Sequence, residues 1–193
     1  EDAKELVREL CRIMVGRERR IADLAHSSFT LEDLMNIKSR LIGSGFIGGK
    51  AAGMLLAQKI LANDNSFDSG QYLEPHDSFY IGSDVFYSYI VENGWWKLLM
   101  RQKTKEGYFK AAPEIRENLL RGKFPGLVRE RFQEIIDYFG QSPIIVRSSS
   151  LLEDSFGNAF AGKYESLFLV NQGDPEQRYR EFEEAVRRVY AST

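Results

Sequence analysis

The residues whose types and spacing suggest a chemical role lie in two segments, one rich in hydroxyls and one rich in glycine. In the first segment, an apolar run over residues 144–146 ends at Arg147, and Ser148 and Ser149 follow directly. An arginine at the end of an apolar strand presents a planar donor to phosphate or carboxylate, and hydroxyl groups add hydrogen-bond donors. A strand end that leads into a glycine-containing loop is where α/β proteins commonly bind anions. The segment therefore predicts a buried strand that runs into an anion site.

An acidic pair and a glycine turn complete this first segment. Glu153 and Asp154 follow the hydroxyl groups, and Gly162 lies in a small-residue turn that precedes a second strand. Gly162 is expected to let the backbone approach a ligand closely. For the two carboxylates, two interpretations stay open: they orient Arg147 and close the loop, or they are merely solvated.

The second segment, GSGFIGGK over residues 43–50, invites comparison with known nucleotide motifs. Its glycines satisfy the G-x-G-x-x-G spacing of a dinucleotide fingerprint, but residues 36–42 have the pattern of a helix end, and no acidic residue ends a second strand. This spacing alone is a weak indication of NAD binding. A P-loop is excluded, because Ser44 stands where its first glycine should be and no hydroxyl follows the lysine.

Both segments resemble one known family. The string VRSSSLLEDSFGNAFAGKYESLFLV over residues 146–170 is similar to the nucleotide-binding segment of phosphoenolpyruvate synthases, pyruvate phosphate dikinases and rifampicin phosphotransferases, whose pattern is close to VRSSATAEDxxxxSFAGxxxTxLNV. It departs from that pattern at residues 150–152 and after the glycine, and it keeps the arginine and the glycine turn. GGKAAGM over residues 48–54 matches the family's Gly-Gly-Lys segment. The resemblance covers about residues 43–193, and residues 1–40 lie outside it.

The resemblance implies a role for each residue of the two segments. Lys50 corresponds to a lysine that contacts ATP phosphates, and the first turn of a helix already favours an anion there. Considered alone, Lys50 is equally compatible with a solvent-exposed lysine at a tight turn. The implied nucleotide-binding residues are Gly49, Lys50, Arg147, Ser148, Ser149, Glu153, Asp154 and Gly162.

The family also implies a reaction and its partners. This chain is expected to be the first lobe of an ATP-grasp-like domain that binds ATP with Mg²⁺, and a downstream lobe is expected to hold the metal. A histidine on a separate swivelling domain takes the phosphoryl group and passes it to an acceptor such as pyruvate. His26 and His76 lack the sequence context of that histidine, so no catalytic residue and no metal ligand is expected here. We therefore expect a phosphotransferase whose nucleotide-binding fragment is inactive alone.

A function of another class stays compatible with the sequence. The helical residues 1–40 have no counterpart in the family, and such an extension would suit a non-catalytic module of a regulatory protein that senses adenine nucleotides or mediates an interaction. A histidine-bearing domain and a pyruvate-binding barrel downstream would favour the enzyme. Their absence would favour the sensor.

The composition bounds the class of protein. The 193 residues carry a formal net charge of −2, which argues against a dedicated nucleic-acid binder. The single cysteine, Cys11, excludes an internal disulfide and fits a reducing, cytoplasmic compartment. No apolar run is long enough to span a bilayer. Because the chain opens without methionine and ends directly after an amphipathic pattern, we expect it to be a fragment of a longer protein.

Helical and strand patterns alternate along the chain, which predicts a mixed α+β or α/β fold. Residues 1–40 are predicted to be a helical extension, with one helix over 2–26 and another over 31–40 that Thr30 and Asp33 cap. Residues 41–193 are predicted to form the nucleotide-binding lobe. Its predicted helices cover about residues 49–62, from Ser83 or Asp84 to Asn93, 95–112, 114–121, 127–139 and 175–191, and its predicted strands cover 77–82, 144–147 and 167–170.

Overall fold

A computed structural model of the chain combines helices with three two-stranded sheets, which confirms the predicted mixed α+β class. The chain divides into two compact units, one formed by residues 1–84 with 149–159 and the other by residues 85–148 with 160–193. None of the helices among the described residues has the length and hydrophobicity that a bilayer span requires. The structure describes residues 2–16, 18–66, 68–74, 77–151, 154–155, 158–159, 162 and 164–192.

The elements follow the chain in a helix-rich order. The helices are α1 Asp2–Met14, α2 Arg19–Ser28, α3 Leu31–Ser39, α4 Gly49–Ala62, α5 Ser83–Glu92, α6 Trp96–Arg101, α7 Lys105–Arg121, α8 Gly126–Phe139 and α9 Pro175–Ser192. The strands are β1 Leu41–Ile42, β2 Tyr80–Ile81, β3 Ile144–Arg147, β4 Asp154–Ser155, β5 Asn158–Ala159 and β6 Ser166–Leu169. The helices predicted over 49–62, 127–139 and 175–191 are confirmed as α4, α8 and α9.

Capping determines where α2 and α3 begin. The predicted capping box of α3 is confirmed, because the Asp33 N–H donates to Thr30 Oγ1 at 3.2 Å and the Thr30 N–H donates to the Asp33 carboxylate at 2.8 Å. The prediction of a single helix over 2–26 was wrong. The Glu18 carboxylate accepts a hydrogen bond from the Ile21 N–H at 3.0 Å, so it starts a new helix four residues after α1 ends at Met14.

One hydrophobic core joins the N-terminal helices to β1 and α4. Burial raises the pKa of the Cys11 thiol in this core, which keeps the thiol neutral. The domain boundary at residues 40 and 41 stays a prediction, although residues on both of its sides fill this core. The buried core residues are Cys11, Met14, Val15, Ala25, Phe29, Leu34, Ile37, Leu41, Ile47, Ala51, Ala52 and Leu56.

A parallel strand pair positions the glycine-rich segment. β1 pairs with β2 in parallel, with Leu41 opposite Tyr80 and Ile42 opposite Ile81, and α4 lies between the two strands in sequence. Residues 36–39 end helix α3 as expected, but residues 41–42 form strand β1, which was not predicted. The strand predicted over 77–82 is limited to the two residues of β2. Since parallel strands end at the same edge of a sheet, the residues that follow β1 meet those that follow β2.

The second unit packs α7, α8 and α9 around an aromatic core. Tyr89 is fully buried there, its hydroxyl donates to the Leu119 carbonyl at 2.7 Å, and burial raises the pKa of Tyr89 to about 12. The prediction of separate helices over 95–112 and 114–121 was wrong, because α7 runs unbroken through Pro113. An interior proline costs a helix about 3 kcal/mol. The buried face of α7 offsets this cost, at about 1.5–3 kcal/mol for each large apolar side chain.

The antiparallel pair of β3 and β6 lies against α9 with one face only. Ile144 and Val146 are half-buried, whereas Ile145 and Arg147 are exposed, so the prediction of a buried strand was wrong. The apolar run in the sequence is continuous because the outward-facing residue Ile145 is apolar, like its inward-facing neighbours Ile144 and Val146. The outer face of the pair is thus partly apolar.

The Asn171 side chain, just after β6, links this end of the strand to the loop that precedes β3. Its side-chain amide donates to the carbonyls of Gly140 at 3.0 Å and Ser142 at 2.7 Å, and its side chain is buried. Its backbone has a φ of 56°, in the left-handed region that asparagine tolerates better than most residues. Both strands of the pair therefore depend on one side chain.

We expect Asn171→Ala to lower the free energy of unfolding by about 3 kcal/mol, since it removes two hydrogen bonds and places a Cβ-bearing residue without polar compensation at positive φ. Asn171→Gly is the matched control, because it loses the same bonds and relaxes the backbone. The glycine variant should be about 1 kcal/mol more stable than the alanine variant. Urea unfolding measures both, and an alanine variant as stable as the wild type would contradict the assignment.

Candidate functional site

The glycine-rich segment is held by the residues that follow β2. The Asp84 carboxylate accepts hydrogen bonds from the backbone N–H groups of Ser44 at 2.9 Å and Gly45 at 2.7 Å. Ser83 Oγ accepts from the Phe46 N–H at 3.2 Å. These bonds fix the loop between β1 and α4, so Ser83 and Asp84 are part of the site's support.

The sequence predicted only that Ser83 or Asp84 begins a helix. Their support of the loop follows from the parallel pairing of β1 and β2, which brings both strand ends to one edge. Gly45 is required at this edge, since a Cβ added there would lie 2.6 Å from Ser83 Oγ and 2.7 Å from the Asp84 nitrogen. The parallel pairing of β1 and β2 identifies this contact, and no pattern in the sequence predicted that pairing.

Ser149 caps helix α4 from a distant part of the chain. The N-cap residue Gly48 has no side chain that can accept the N–H groups of the first turn. Ser149 accepts instead, with its Oγ 3.0 Å from the Ala51 nitrogen and its carbonyl oxygen 2.8 Å from the Gly49 nitrogen. The hydroxyl segment and the glycine-rich segment are therefore bonded to each other within the first unit.

Glycine is the only residue type that fits at position 48 beside Ser149. Its φ is 85°, which is unfavourable for residues with a Cβ, and an added Cβ would lie 1.8 Å from the Ser149 carbonyl oxygen. The backbones of the two segments approach each other through the space that a side chain would fill.

Some of the backbone N–H groups of the predicted anion site at the start of α4 already donate hydrogen bonds within the protein. The N–H groups of Gly49 and Ala51 donate to Ser149. Lys50 lies between them in the first turn, with a half-buried side chain at the positive end of the helix dipole. The structure brings Gly49, Lys50 and Ser149 together, and their roles toward a nucleotide stay predictions.

Two further predicted residues lie in the second unit at the end of β3. Arg147 is the last residue of that strand, is exposed, and stands opposite Ser166 in register. Ser148 follows it and is buried. An exposed guanidinium at a strand end has the access that a bidentate contact with phosphate requires.

The acidic pair and the glycine turn are described only in part. The Asp154 backbone pairs with Ala159 in a short hairpin of β4 and β5, which packs near α4. Glu153 and His76 lie outside the described residues. Gly162 has a φ of 77°. The described residues hold no cluster of three or more His, Cys, Asp or Glu side chains that would bind a metal ion.

A comparison with protein families matches residues 44–193 to the family described as "Pyruvate phosphate dikinase, AMP/ATP-binding domain". The match covers more than half of the chain, and it includes both Lys50 and Arg147. No curated protein and no solved structure gives a significant match to the chain.

The close approach of Gly48 to Ser149 predicts opposite effects for the glycine at the N-cap of α4 and a glycine inside that helix. We expect Gly48→Ala to destabilise the protein by at least about 2 kcal/mol, because positive φ and a steric clash act together. Gly53→Ala is the matched control within α4, where an added Cβ meets nothing within 4 Å. It should stabilise the protein by about 0.5–1 kcal/mol. Thermal or urea unfolding measures both, and equal effects would contradict this contact.

Proposed function

The chain belongs to the pyruvate phosphate dikinase AMP/ATP-binding domain family, and we propose that it holds ATP for a phosphoryl transfer that another part of the same protein completes. One observation carries the proposal. The two motifs that resemble the family, 98 residues apart, are joined directly by the hydrogen bond from the Ala51 N–H to Ser149 Oγ. A pair of unrelated surface segments would have no reason to meet in this way.

The proposed binding residues act mainly by neutralising charge. Lys50 contributes an ammonium group at the positive end of α4, and Arg147 contributes a planar guanidinium that suits a bidentate contact with phosphate. Ser149 accepts a hydrogen bond from α4 and keeps its own hydroxyl proton for donation to a phosphate oxygen. The proposed nucleotide-binding set is Gly49, Lys50, Arg147, Ser148, Ser149, Glu153, Asp154 and Gly162.

The remaining groups of the reaction are proposed to lie elsewhere in the protein. Mg²⁺ bound with ATP would neutralise phosphate charge, and a downstream lobe would supply its ligands. A histidine on a swivelling domain would accept the phosphoryl group and transfer it to an acceptor such as pyruvate. The residues of this chain bind and orient the triphosphate, and positioning of this kind supplies much of the acceleration in phosphoryl transfer. A cytoplasmic location is part of the proposal, because a single cysteine fits a reducing compartment.

We expect Lys50→Ala and Arg147→Ala each to raise the dissociation constant for Mg·ATP at least tenfold, because each removes a charge from the triphosphate site. Glu153→Ala should raise it much less. Titration of the isotope-labelled chain, followed by NMR, measures the constants, with NAD as the control ligand. Lys97→Ala removes an exposed positive charge from α6 and is the control for nonspecific attraction.

Equal effects of Arg147→Ala and Glu153→Ala would contradict the assignment of the arginine. Binding of NAD that tolerates Arg147→Ala would favour a dinucleotide site instead. An assay of the full-length protein with labelled ATP separates the two remaining classes of function. An enzyme transfers the label to an acceptor, whereas a nucleotide-sensing module binds ATP by the same residues and transfers nothing.

A further inference from the structure

The corner between α6 and α7 concentrates positive charge. Residues 97–110 contain five Lys or Arg residues and one Glu, which gives a net charge of +4, although the whole chain carries −2. Arg101 ends α6, Lys103 lies in the turn, and Lys105 begins α7. All three residues are exposed, and within the described part of the chain none of them forms an ion pair. The corner therefore presents three uncompensated charges to solvent.

Backbone packing holds this corner together. Thr104 caps α7 by accepting the Gly107 N–H at 3.1 Å, and a Cβ added at Gly107 would lie 2.1 Å from the Arg101 carbonyl oxygen. The end of α6 thus lies directly against the first turn of α7. The three charges are kept close to the start of α7, where the helix dipole is also positive.

Two exposed aromatic side chains lie beside these charges. Tyr108 is 52% exposed and Phe109 is 70% exposed, with their ring centroids 5.5 Å apart. They follow Lys105 by three and four residues, so they are its neighbours on the surface of α7. Lys110 and Arg121 of the same helix each pair with a glutamate four residues earlier, but the residue four after Lys105 is aromatic. Exposed rings next to unpaired cations are typical of a protein-binding surface.

The first unit contains a segment of opposite charge, residues 63–74, which we call the acidic segment. It carries Asp64, Asp68 and Glu74 and no Lys or Arg. These three residues are exposed and form no ion pair with any other residue that the structure describes. Tyr72, in the same segment, is 74% exposed and follows a short 3₁₀ turn. The acidic segment therefore offers as many charges as the corner, with an aromatic ring among them.

We propose that the α6–α7 corner of one chain binds the acidic segment of a second copy. Opposite charges in equal number would meet across the contact, and the exposed rings of both surfaces would bury apolar area there. A second copy is the partner that the sequence itself supplies, because both complementary surfaces occur on every chain. The two surfaces differ, so the contact is head-to-tail. It uses none of the proposed nucleotide-binding residues, and surfaces this small form weak, reversible contacts.

Sedimentation velocity of the chain over a concentration series tests this contact. At low salt the sedimentation coefficient should rise with concentration, and the rise should be lost in about 1 M salt, where the screening length is about 3 Å. A corner variant, with Arg101→Glu, Lys103→Glu and Lys105→Glu, should raise the dissociation constant for self-association at least tenfold. Phe109→Ala should raise it about tenfold.

A mixture of two variants shows whether the two surfaces bind each other. The second is a segment variant with Asp68→Lys and Glu74→Lys, and it keeps Asp64, whose carboxylate accepts the Ser66 N–H at 2.8 Å. Each variant alone should remain monomeric, because each has lost one of the two surfaces. The equimolar mixture should form a one-to-one pair and nothing larger, since only one intact corner and one intact acidic segment remain in each pair. Loss of folding in either variant could not produce this pair.

Two control variants change other exposed positions. Leu127→Ala matches Phe109→Ala, because it truncates an apolar side chain of α8 that is 78% exposed. The combination of Lys4→Glu, Arg8→Glu and Arg12→Glu on α1 matches the charge change of the corner variant. Both should associate like the wild type. A wild-type chain that stays monomeric at every concentration in low salt would overturn the proposal, and so would a mixture of the two variants that forms no pair.

Discussion

The backbone N–H groups at the start of α4 need hydrogen-bond acceptors. Ser149 supplies them from a distant part of the chain, and the structure of the first unit depends on this interaction. The first-turn N–H groups of a helix have no partner within it, and a side chain at the N-cap usually supplies one, worth about 1 kcal/mol. Gly48 has no side chain, and its φ of 85° excludes most residues that do. Ser149 supplies both a hydroxyl and a carbonyl oxygen instead. The helix start, the glycine and the hydroxyl segment are thus mutually dependent.

The same dependence explains why a phosphate-binding role is compatible with this arrangement. A serine hydroxyl has two lone pairs and one proton, so acceptance from Ala51 leaves its donor capacity intact. Lys50 lies between two residues whose N–H groups are bonded to Ser149, which fixes the backbone that carries its side chain. Asp84 and Ser83 fix the other end of the same loop. The backbone of the proposed phosphate site is therefore ordered by the protein before any ligand binds, which reduces the entropy that binding costs.

Features that local sequence determines were predictable, and features that depend on distant residues were not. The capping box at Thr30 follows from residues within one turn of the start of α3. The strand β1 escaped prediction because it has two residues, too few for a period to show, and its partner β2 lies 39 residues away. Pro113 was a misleading local signal, since packing of the buried face of α7 outweighs it. For the site, the motifs predicted Lys50 and Ser149, but the connection of the two motifs through a helix cap depends on residues 98 apart in sequence.

The discontinuity of the first unit has a consequence for biosynthesis. Residues 149–159 complete a unit whose other part is residues 1–84, so the ribosome must add the whole segment between them before the unit can close. At roughly 5–20 residues per second, the 98 residues that separate Ala51 from Ser149 take about 5–20 seconds to synthesise. Throughout that interval the first turn of α4 lacks the acceptors that Ser149 provides, and water must solvate it. The rate of translation between the two motifs therefore sets how long the start of α4 remains without these acceptors.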